Sequence, residues 1–370
     1  MSTLTIAADR LAAALKHGVA SARNSLPVLR HVRVTHAAGM ALFETTDCEV
    51  WVQARVPAEC TGEFDVLLHD ELLRPVAAGG AGDLVIQLDG KVRSGRGRYA
   101  IPAMASHDFP TADDVPWEDL QIDPAALCAA LRAVSYTGED QSLNPIFRAL
   151  HVVPGFVWCT DGRQAGVVAI DYDGPAMPIP VGQVPRVIAA LQQDGARVQA
   201  AVGAGQARQL RVSGPELQLS LRLVEGAGAD IPGFVARIDP GAIEVTLRRD
   251  CLAQALRRFM PFVNYTLGKR SGKPALPTVA LVVADGEAAL RDKSGEFVEA
   301  LPELFVGDFP RDWRVAFDVK RMLSVLAAID TEHVLLHPLG NSGGTSPTML
   351  MTPEGAGLDR IAHVLAALTE

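Results

Sequence analysis

One pattern of residues occurs three times along this chain. In each copy, apolar residues recur at i, i+3 and i+4, which predicts one face of a helix; a proline then interrupts the pattern, and a run of β-forming residues follows. The helical segments are residues 11–15, 127–131 and 252–256, and the runs after them are 26–34, 144–152 and 276–283. Repetition at this period predicts three copies of one domain.

Two polar segments that contain proline separate the copies. They are residues 110–116 and Asp239-Pro240-Gly241, and they predict domains at 1–116, 117–240 and 241–370. Each domain is predicted as a helix, a hairpin region, a second helix and further strands. The second helices are predicted at 70–78, 184–191 and 318–329. The predicted fold class is therefore α+β, with three similar domains that each pack two helices on β-sheets.

Capping and turn residues predict where individual elements begin and end. Asp9 and Asp123-Pro124 each suit the start of a helix. Residues 26–35 predict a strand, and Asp89-Gly90 predicts a hairpin with a type I′ turn. Residues 226–233 predict a loop, and 267–274 predict an exposed basic loop.

Composition limits the cellular setting. The five cysteines are scattered and never form a C-x-x-C pair, which favours reduced thiols in the cytoplasm and argues against a zinc ribbon. The start of the sequence lacks the pattern of a signal peptide, and no apolar run approaches the ~20 residues that span a membrane. The net charge of −9 counts against a nucleic-acid binder, but the distribution of charge decides this question.

With these residues in place, the chain resembles the bacterial sliding clamps, the β subunits of replicative DNA polymerases. The residues that carry the resemblance are Leu26-Pro27-Val28-Leu29, Thr46-Asp47-Cys48-Glu49, residues 92–99, His107-Asp108-Phe109-Pro110, Thr160-Asp161-Gly162 and residues 223–226. The resemblance implies a head-to-tail homodimer with six domains in a ring, whose helices line a hole for double-stranded DNA. It implies a non-catalytic protein without a cofactor that tethers the polymerase.

The resemblance also implies residues that contact DNA. Arg23 stands before Leu26-Pro27, where the family often carries a DNA-contacting arginine, and Arg10 and Lys16 are expected to share its face. Lys269, Arg270 and Lys273 are expected to follow phosphates. The alternative is that these are solvated surface charges. The second copy departs from the family, because Glu139 and Asp140 occupy its loop and a tyrosine pair is missing.

A pocket for short linear peptides from polymerases, the clamp loader and other partners is implied between the second and third copies. Its expected residues are Phe147, Thr160, Gly162, Arg163, Gln164, Ala165, Val364, Leu365, Ala366, Ala367 and Leu368. Arg163-Gln164-Ala165 replaces the family's usual His-Arg-Leu, and Ala366-Ala367 replaces its Met-Pro. Smaller side chains predict a wider groove and a changed peptide preference, such as that of a second clamp. The alternative is a tail that only packs as core.

The ring is expected to close where the first domain meets the third domain of another subunit. Arg96 and Arg98 would then face Glu296, Glu299 and Glu303. Phe109 and Phe262 would pack beside them. Opposite charges on the two edges would direct the pairing. The alternative is scattered surface charge.

The patterns that suggest an enzyme are weak. Residues 268–274 approach a phosphate-binding loop, but the spacing is one residue short and Pro274 replaces the Ser or Thr that holds magnesium. Asp47 and Asp161 occupy equivalent positions, which predicts a turn role. His333 and His337 are four residues apart, as metal ligands can be. They fall in a predicted strand without an obvious third ligand, so a metal site is not expected there. Three function classes remain: a DNA-encircling processivity factor, a clamp-derived interaction protein that does not load on DNA, and an unrecognised hydrolase.

Overall fold

The computed structural model describes residues 2–19, 26–203, 206–226, 228–240, 244–269, 277–292, 294–306, 312–339, 348–357 and 359–366, with the backbone alone for 264–269 and 338–339. Contacts divide the chain into two compact units. The first contains residues 1–128, 174–177 and 182–223, and the second contains 129–173, 178–181 and 224–370. Both units draw on residues of the predicted middle domain, and the division into three domains stays a prediction.

The order of elements repeats along the chain. The first stretch contains β1 (Thr3–Ala7), α1 (Ala8–Lys16), β2 (His31–Ala37), β3 (Met40–Thr46), β4 (Val50–Pro57), β5 (Glu59–Thr61), β6 (Asp65–His69), α2 (Asp70–Gly79), β7 (Asp83–Gln87), β8 (Lys91–Ser94), β9 (Gly97–Ala100), β10 (Ala103–Met104) and β11 (Glu118–Asp119). The second contains α3 (Pro124–Val134), β12 (Ala149–Val153), β13 (Phe156–Thr160), β14 (Gln164–Ala169), β15 (Met177–Pro180), α4 (Val184–Leu191), β16 (Arg197–Gly203), β17 (Gln206–Ser213), β18 (Leu217–Arg222) and α5 (Ile231–Ala236). The third contains β19 (Val245–Arg248), α6 (Arg249–Lys269), β20 (Thr278–Ala284), β21 (Glu287–Asp292), β22 (Val298–Ala300), β23 (Phe305–Val306), β24 (Trp313–Asp318), α7 (Val319–Ala328), β25 (His333–Leu339), β26 (Thr348–Pro353) and β27 (Ile361–Ala366).

The first unit contains two antiparallel sheets. One has the strand order β5-β1-β7-β8-β9, and the other has the order β10-β6-β2-β3-β4-β18-β17-β16-β11. β4 and β18 join strands of the first and second copies, with Ala54 opposite Leu217 and Trp51 opposite Ser220. Alternate residues of β4 are buried, as expected for a strand with one covered face.

The second unit is built in the same way. Its larger sheet has the order β15-β12-β13-β14-β27-β26-β25-β19-β23, and its smaller sheet has the order β22-β21-β20-β24. β14 and β27 join the second and third copies, with Gln164 opposite Leu365. A large apolar cluster, which includes Leu256, Phe317 and Leu365, packs α6 and α7 against these sheets. A smaller cluster, which includes Trp158 and Val364, packs on α5.

Several predicted helix ends are confirmed. Asp123 caps α3, because its carboxylate accepts hydrogen bonds from the backbone N–H groups of Ala125 and Ala126. α4 spans Val184–Leu191, as predicted. Asp318 caps α7 through the N–H groups of Lys320 and Arg321.

The cap predicted at Asp9 is wrong. α1 begins one residue earlier, at Ala8, and the Asp9 carboxylate accepts only from the N–H of the adjacent Arg10. A carboxylate in the first turn still favours the helix through the macrodipole, so Asp9 contributes charge without closing the helix end.

The strand predicted at 26–35 is also wrong at its start. Pro27–Arg30 forms a 3₁₀ turn, and β2 begins only at His31. Pro27 holds its φ in the helical range and lacks an N–H for a strand ladder. The His31 ring also pairs with the Pro27 carbonyl through Nδ1 at 2.8 Å, which closes the turn.

Two loop predictions are corrected. A type I′ turn needs positive φ at both central residues, but only Gly90 has it, at +81°, and the Gly90 N–H donates to the Gln87 carbonyl. α5 lies partly within the loop predicted at 226–233, and Asp230 caps it by accepting from the Gly233 N–H at 2.8 Å. In addition, α6 extends through Lys269, so residues 267–269 are helical. The rest of the predicted basic loop, 270–274, lies outside the described residues.

No helix within the described ranges is both long enough and apolar enough to cross a membrane. Among those same residues, no group of three or more His, Cys, Asp or Glu side chains is arranged to hold a metal ion.

Candidate functional site

One face of α1 lines a cleft in the first unit. Arg10, Ala13, Ala14 and His17 follow the i, i+3, i+4, i+7 spacing of one helix face, and they border a cavity of about 430 Å³. Ala189 and Gln193 border it from the side of α4, and the strand pair β4–β18 contributes the remaining wall. The small alanine side chains explain why the two helices leave a space between them.

Two arginines from other helices close the C-terminal end of α1. Arg186 of α4 donates from Nε to the His17 carbonyl at 3.0 Å and from Nη2 to the Gly18 carbonyl at 3.3 Å. Arg74 of α2 donates to the Leu15 carbonyl and forms an ion pair with Asp70 at 2.7 Å. Cations at a helix C-terminus are stabilised by its macrodipole. This end of α1 is consequently rich in positive charge.

The ionisation of His17 responds to the same surroundings. Burial lowers the pKa of His17, and the nearby charges of Lys16 and Arg186 lower it further. The imidazole is therefore neutral at physiological pH, and the positive field comes from the lysine and arginine side chains.

The structure places only part of the predicted DNA-binding set. Arg10 and Lys16 are exposed on α1 and form no ion pair among the described residues. Arg23, Arg270 and Lys273 lie outside the described residues, as does the side chain of Lys269. Arg74 and Arg186 were not among the predicted residues. They lie beside α1 and donate to its backbone carbonyls, which are far away in the sequence.

The Asp161 turn contains several of the residues that were predicted for the peptide pocket. Oδ1 of Asp161 accepts from the N–H groups of Arg163 and Gln164, both at 2.8 Å. Gly162 has φ of +82°, and the Phe147 ring lies 2.9 Å from the position that a Cβ there would take. Only glycine fits this position without moving the ring.

Asp47 holds its own turn in the same way. It accepts from the N–H groups of Glu49 at 3.0 Å and Val50 at 2.8 Å. The turn role predicted for Asp47 and Asp161 is confirmed.

Asp161 makes one contact that Asp47 lacks. Arg321 of α7 donates from Nε and Nη2 to Asp161 Oδ2 at 3.2 and 3.0 Å. It also reaches Asp318 Oδ2 at 3.4 Å. Because the Asp161 side chain is only 11% exposed, this ion pair ties α7 firmly to the β13–β14 turn.

The tail strand β27 completes this region. Ala165 lies opposite Val364, and the Ala366 N–H donates to the Arg163 carbonyl at 2.8 Å. Val364 packs in the smaller apolar cluster, whereas Leu365 packs in the larger one. Thr160, Gln164, Ala165, Val364 and Leu365 are buried, while Arg163 is exposed. Ala367 and Leu368 lie outside the described residues.

A buried polar contact links His363 of β27 to Tyr136. The Tyr136 hydroxyl and Nδ1 of His363 are 2.7 Å apart. Burial lowers the pKa of His363 to about 4 and raises that of Tyr136 well above its usual range. Both groups are therefore neutral at physiological pH, and the tautomer of His363 sets which of the two donates the hydrogen bond.

The residues predicted for the subunit interface differ in exposure. Arg96 and Arg98 are exposed in the β8–β9 hairpin. Phe262 is 46% exposed and contacts Phe297, with ring centroids 5.0 Å apart. Phe109 is buried within its own chain.

The predicted acidic partners also differ. Glu296 is exposed. Glu299 accepts from Arg258 Nε at 3.0 Å, and Glu303 lies 3.8 Å from Arg248. Two of the three carboxylates therefore already have a cation within the chain.

The chain is similar in sequence and in fold to known proteins. No family model matches the chain. The beta sliding clamp of Escherichia coli K12 is 26% identical over 339 residues, which cover 86% of this chain and 87% of that protein. Among solved structures, the DNA polymerase sliding clamp of Bacillus subtilis has a TM-score of 0.79 at 14% identity, covering 100% of this chain and 99% of the other. That of Caulobacter crescentus has a TM-score of 0.77 at 17% identity, with 100% of both chains covered. The chain is therefore similar in sequence to bacterial beta sliding clamps and shares the fold of DNA polymerase sliding clamps.

Proposed function

We propose that this chain is a DNA sliding clamp, a non-catalytic processivity factor that encircles duplex DNA and tethers a DNA polymerase. The observation that carries the proposal is similarity to beta sliding clamps along nearly the whole chain, in both sequence and fold. The proposal includes three domains per chain, at 1–116, 117–240 and 241–370, and a head-to-tail homodimer.

Enclosure explains how a protein with a net charge of −9 can work on DNA. Non-specific protein–DNA affinity is typically only ~10⁻⁴ to 10⁻⁶ M at physiological salt, which is too weak to hold a polymerase for long. A closed ring needs little affinity, because its topology prevents escape. Weak phosphate contacts also allow it to slide.

The exposed cations of α1 are the proposed contacts to the DNA backbone. Arg10 and Lys16 have no acidic partner among the described residues, and Arg186 and Arg74 add positive charge at the C-terminal end of α1, where Lys16 lies. We include Arg23, Lys269, Arg270 and Lys273 on the strength of the family resemblance alone.

The proposed partner site lies at the Asp161 turn. The Phe147 ring beside Gly162 offers an apolar contact, and the exposed Arg163 adds a charged border. We propose that short peptides from the polymerase, the clamp loader and other partners bind here. Ala165 and Ala366 leave more space than larger residues would, so the preferred peptide differs from that of a conventional clamp.

The proposed ring closure joins Arg96 and Arg98 to the acidic residues of the third domain. Glu296 is exposed for this role. Glu299 and Glu303 already pair with arginines of their own chain, and each would also face an arginine across the interface. Phe262 supplies exposed apolar area, which is needed because exposed ion pairs contribute only ~0–1 kcal/mol each.

Retention on closed circular DNA tests the proposal. The protein, assembled with a clamp loader on a nicked circle, is expected to stay bound through gel filtration and to be lost after a restriction enzyme linearises the circle. Equal retention on both forms, or no retention on either, would contradict encirclement.

A clamp-derived interaction protein is the second candidate. The altered residues Ala165 and Ala366 favour it, because they lie in the region that is proposed to bind partners. It predicts peptide binding by a stable dimer that never becomes trapped on circular DNA. Light scattering during gel filtration would separate a dimer from the 39.3 kDa chain.

A further inference from the structure

The guanidinium of Arg186 is occupied by acceptors of the first unit. Its Nε donates to the His17 carbonyl at 3.0 Å, its Nη2 to the Gly18 carbonyl at 3.3 Å, and its Nη1 to Gln183 Oε1 at 2.9 Å. The side chain is also half-buried. Because each of its three nitrogens already has a partner within the chain, Arg186 is poorly placed to bind a phosphate itself.

A second arginine and a threonine hold the same end of α1. Arg74 of α2 donates to the Leu15 carbonyl, and its Nη2 lies 2.7 Å from the position that a Cβ on Gly18 would take. A side chain at position 18 would therefore push this guanidinium away. The Val19 N–H donates to Oγ1 of Thr45 at 3.0 Å. The end of α1 is thus held from α2, α4 and β3.

A cleft separates α1 from α4 along the rest of their boundary. Ala13 and Ala14 border the cavity of about 430 Å³ from one helix, and Ala189 borders it from the other. Methyl groups reach only a short distance from a helix, so these alanines do not interlock as larger side chains do between packed helices. The separation of the two helices therefore rests largely on the hydrogen bonds of Arg186.

The third copy carries an arginine at the same position. α4 begins at Val184 and α7 begins at Val319, so Arg186 and Arg321 are each third in their helix. Arg321 donates to Asp161 Oδ2, in a turn of the preceding copy. In both units, this arginine ties the second helix of one copy to an element of the copy before it.

The helix that Arg186 holds carries the proposed DNA contacts. Arg10 and Lys16 are exposed on α1, and Lys16 directly precedes the His17 carbonyl to which Arg186 donates. A shift of α1 would move both cations relative to a phosphate backbone. Their attraction to phosphate falls with distance, and salt screens it beyond a Debye length of ~8 Å at physiological ionic strength.

We propose that Arg186 is a positioning residue for DNA binding, which holds α1 at the separation from α4 at which Arg10 and Lys16 reach the phosphates. Arg186 acts through α1 and does not contact the duplex. This inference rests on the proposed function, and it adds a role for a residue that lies in another copy of the domain.

A salt series on a short fluorescent duplex tests this role. Fluorescence anisotropy measures binding by the full-length chain at several salt concentrations, because the slope of log K against log salt counts phosphate contacts at ~0.9 per phosphate. Arg186→Gln is expected to weaken binding at low salt about two- to five-fold and to flatten the slope by about one contact, as Lys16→Gln does.

A combined variant separates positioning from direct contact. In a chain that already carries Arg10→Gln and Lys16→Gln, Arg186→Gln is expected to cause no further loss, because α1 then has no cation left to position. The control is Arg197→Gln, which removes an exposed arginine of β16 in the same unit and is expected to change nothing.

A conservative variant separates position from charge. Arg186→Lys keeps the positive charge, but one ammonium group cannot span the carbonyls of His17 and Gly18 as the planar guanidinium does. It is therefore expected to weaken binding as Arg186→Gln does. Urea unfolding of each variant confirms that it is folded in the titration, and Arg186→Lys carries the test if Arg186→Gln does not fold.

Three results would overturn the proposal. They are full binding by Arg186→Gln, full binding by Arg186→Lys, and an additional loss from Arg186→Gln in the combined variant, which would show that Arg186 contacts DNA itself. Failure of the unaltered chain to bind the duplex at low salt is a different outcome, because it would contradict the proposed function and this inference with it.

Discussion

Individual residues with the same local role carry different energetic weight in this protein. Asp47 and Asp161 both hold a turn through two backbone N–H groups. Among the described residues, only Asp161 also accepts hydrogen bonds from an arginine, which comes from 160 residues further along the chain. A sequence reader can predict the turn from the local pattern, but the partnership with Arg321 depends on tertiary packing.

We expect Asp161→Ala to destabilise the fold more than Asp47→Ala does. The loss of turn contacts is expected to cost about 1–2 kcal/mol in either variant. Asp161→Ala also leaves Arg321 without its main partner, which brings its expected cost to about 3–5 kcal/mol. Urea unfolding of both variants gives the comparison, and equal costs would show that the ion pair contributes nothing.

Two buried histidines make stability depend on pH. Burial lowers the pKa of His151 and of His363 to about 4, from the usual 6.5. Both are neutral in the folded and unfolded chains above pH 6.5. Below that pH only the unfolded chain gains protons, so stability falls as pH decreases toward 4. The total expected loss is about 3 kcal/mol per histidine.

A single substitution isolates one of these protons. His151 stacks on Trp158 with ring centroids 3.7 Å apart, so His151→Phe keeps a ring there but cannot titrate. Between pH 6.5 and 5, the slope of unfolding free energy against pH is expected to decrease by about one proton equivalent. An unchanged slope in urea titrations would show that His151 titrates normally in the fold.

At the scale of elements, the β8–β9 hairpin is the proposed edge for ring closure. Its arginines, Arg96 and Arg98, are exposed and form no ion pair among the described residues. An exposed cationic edge resists pairing with a second copy of itself and favours an acidic partner.

We expect Arg96→Glu combined with Arg98→Glu to give monomers, because the reversed charges would meet Glu296 and its neighbours. Light scattering during gel filtration measures the mass. The control is Arg197→Glu combined with Arg208→Glu, which makes the same change in net charge on exposed residues of β16 and β17. A dimer that survives the first pair of substitutions would place the interface elsewhere.

The elements also show how far sequence patterns reach. The α4 helix was predictable to the residue, because its apolar stripe and Pro185 fix its face and its start. α5 was not, because six residues with glycine and proline carry too little periodicity to distinguish a short helix from a loop. The hairpin at Gly90 was predictable, but its turn type was not, because the flanking strand register decides it.

Some features of the candidate site could also be predicted from the sequence, and others could not. The turn at Asp161 could be predicted from its local pattern, whereas a peptide pocket around it was predicted through the family resemblance alone. The caps that Arg74 and Arg186 place on α1 leave no local signature, because their acceptors are backbone carbonyls.

For the whole molecule, the proposed ring makes retention on DNA a question of topology rather than of charge. Contacts to phosphates weaken steeply as salt rises. A clamp on a closed circle is therefore expected to remain bound at salt concentrations that release ordinary electrostatic binders. The salt series, run on circles with and without a double-strand break, measures this directly. Loss from intact circles at moderate salt would indicate adhesion instead of enclosure.

The pairing of β14 with β27 has a consequence for how the protein is made. Ala169 ends β14 and Ile361 begins β27, and 191 residues lie between these positions. During synthesis, one side of β14 has no partner until β27 leaves the ribosome. An open strand edge is prone to pair with other chains. The nascent protein therefore has an exposed strand edge during much of its translation. That edge must be shielded from other chains until β27 has been synthesised.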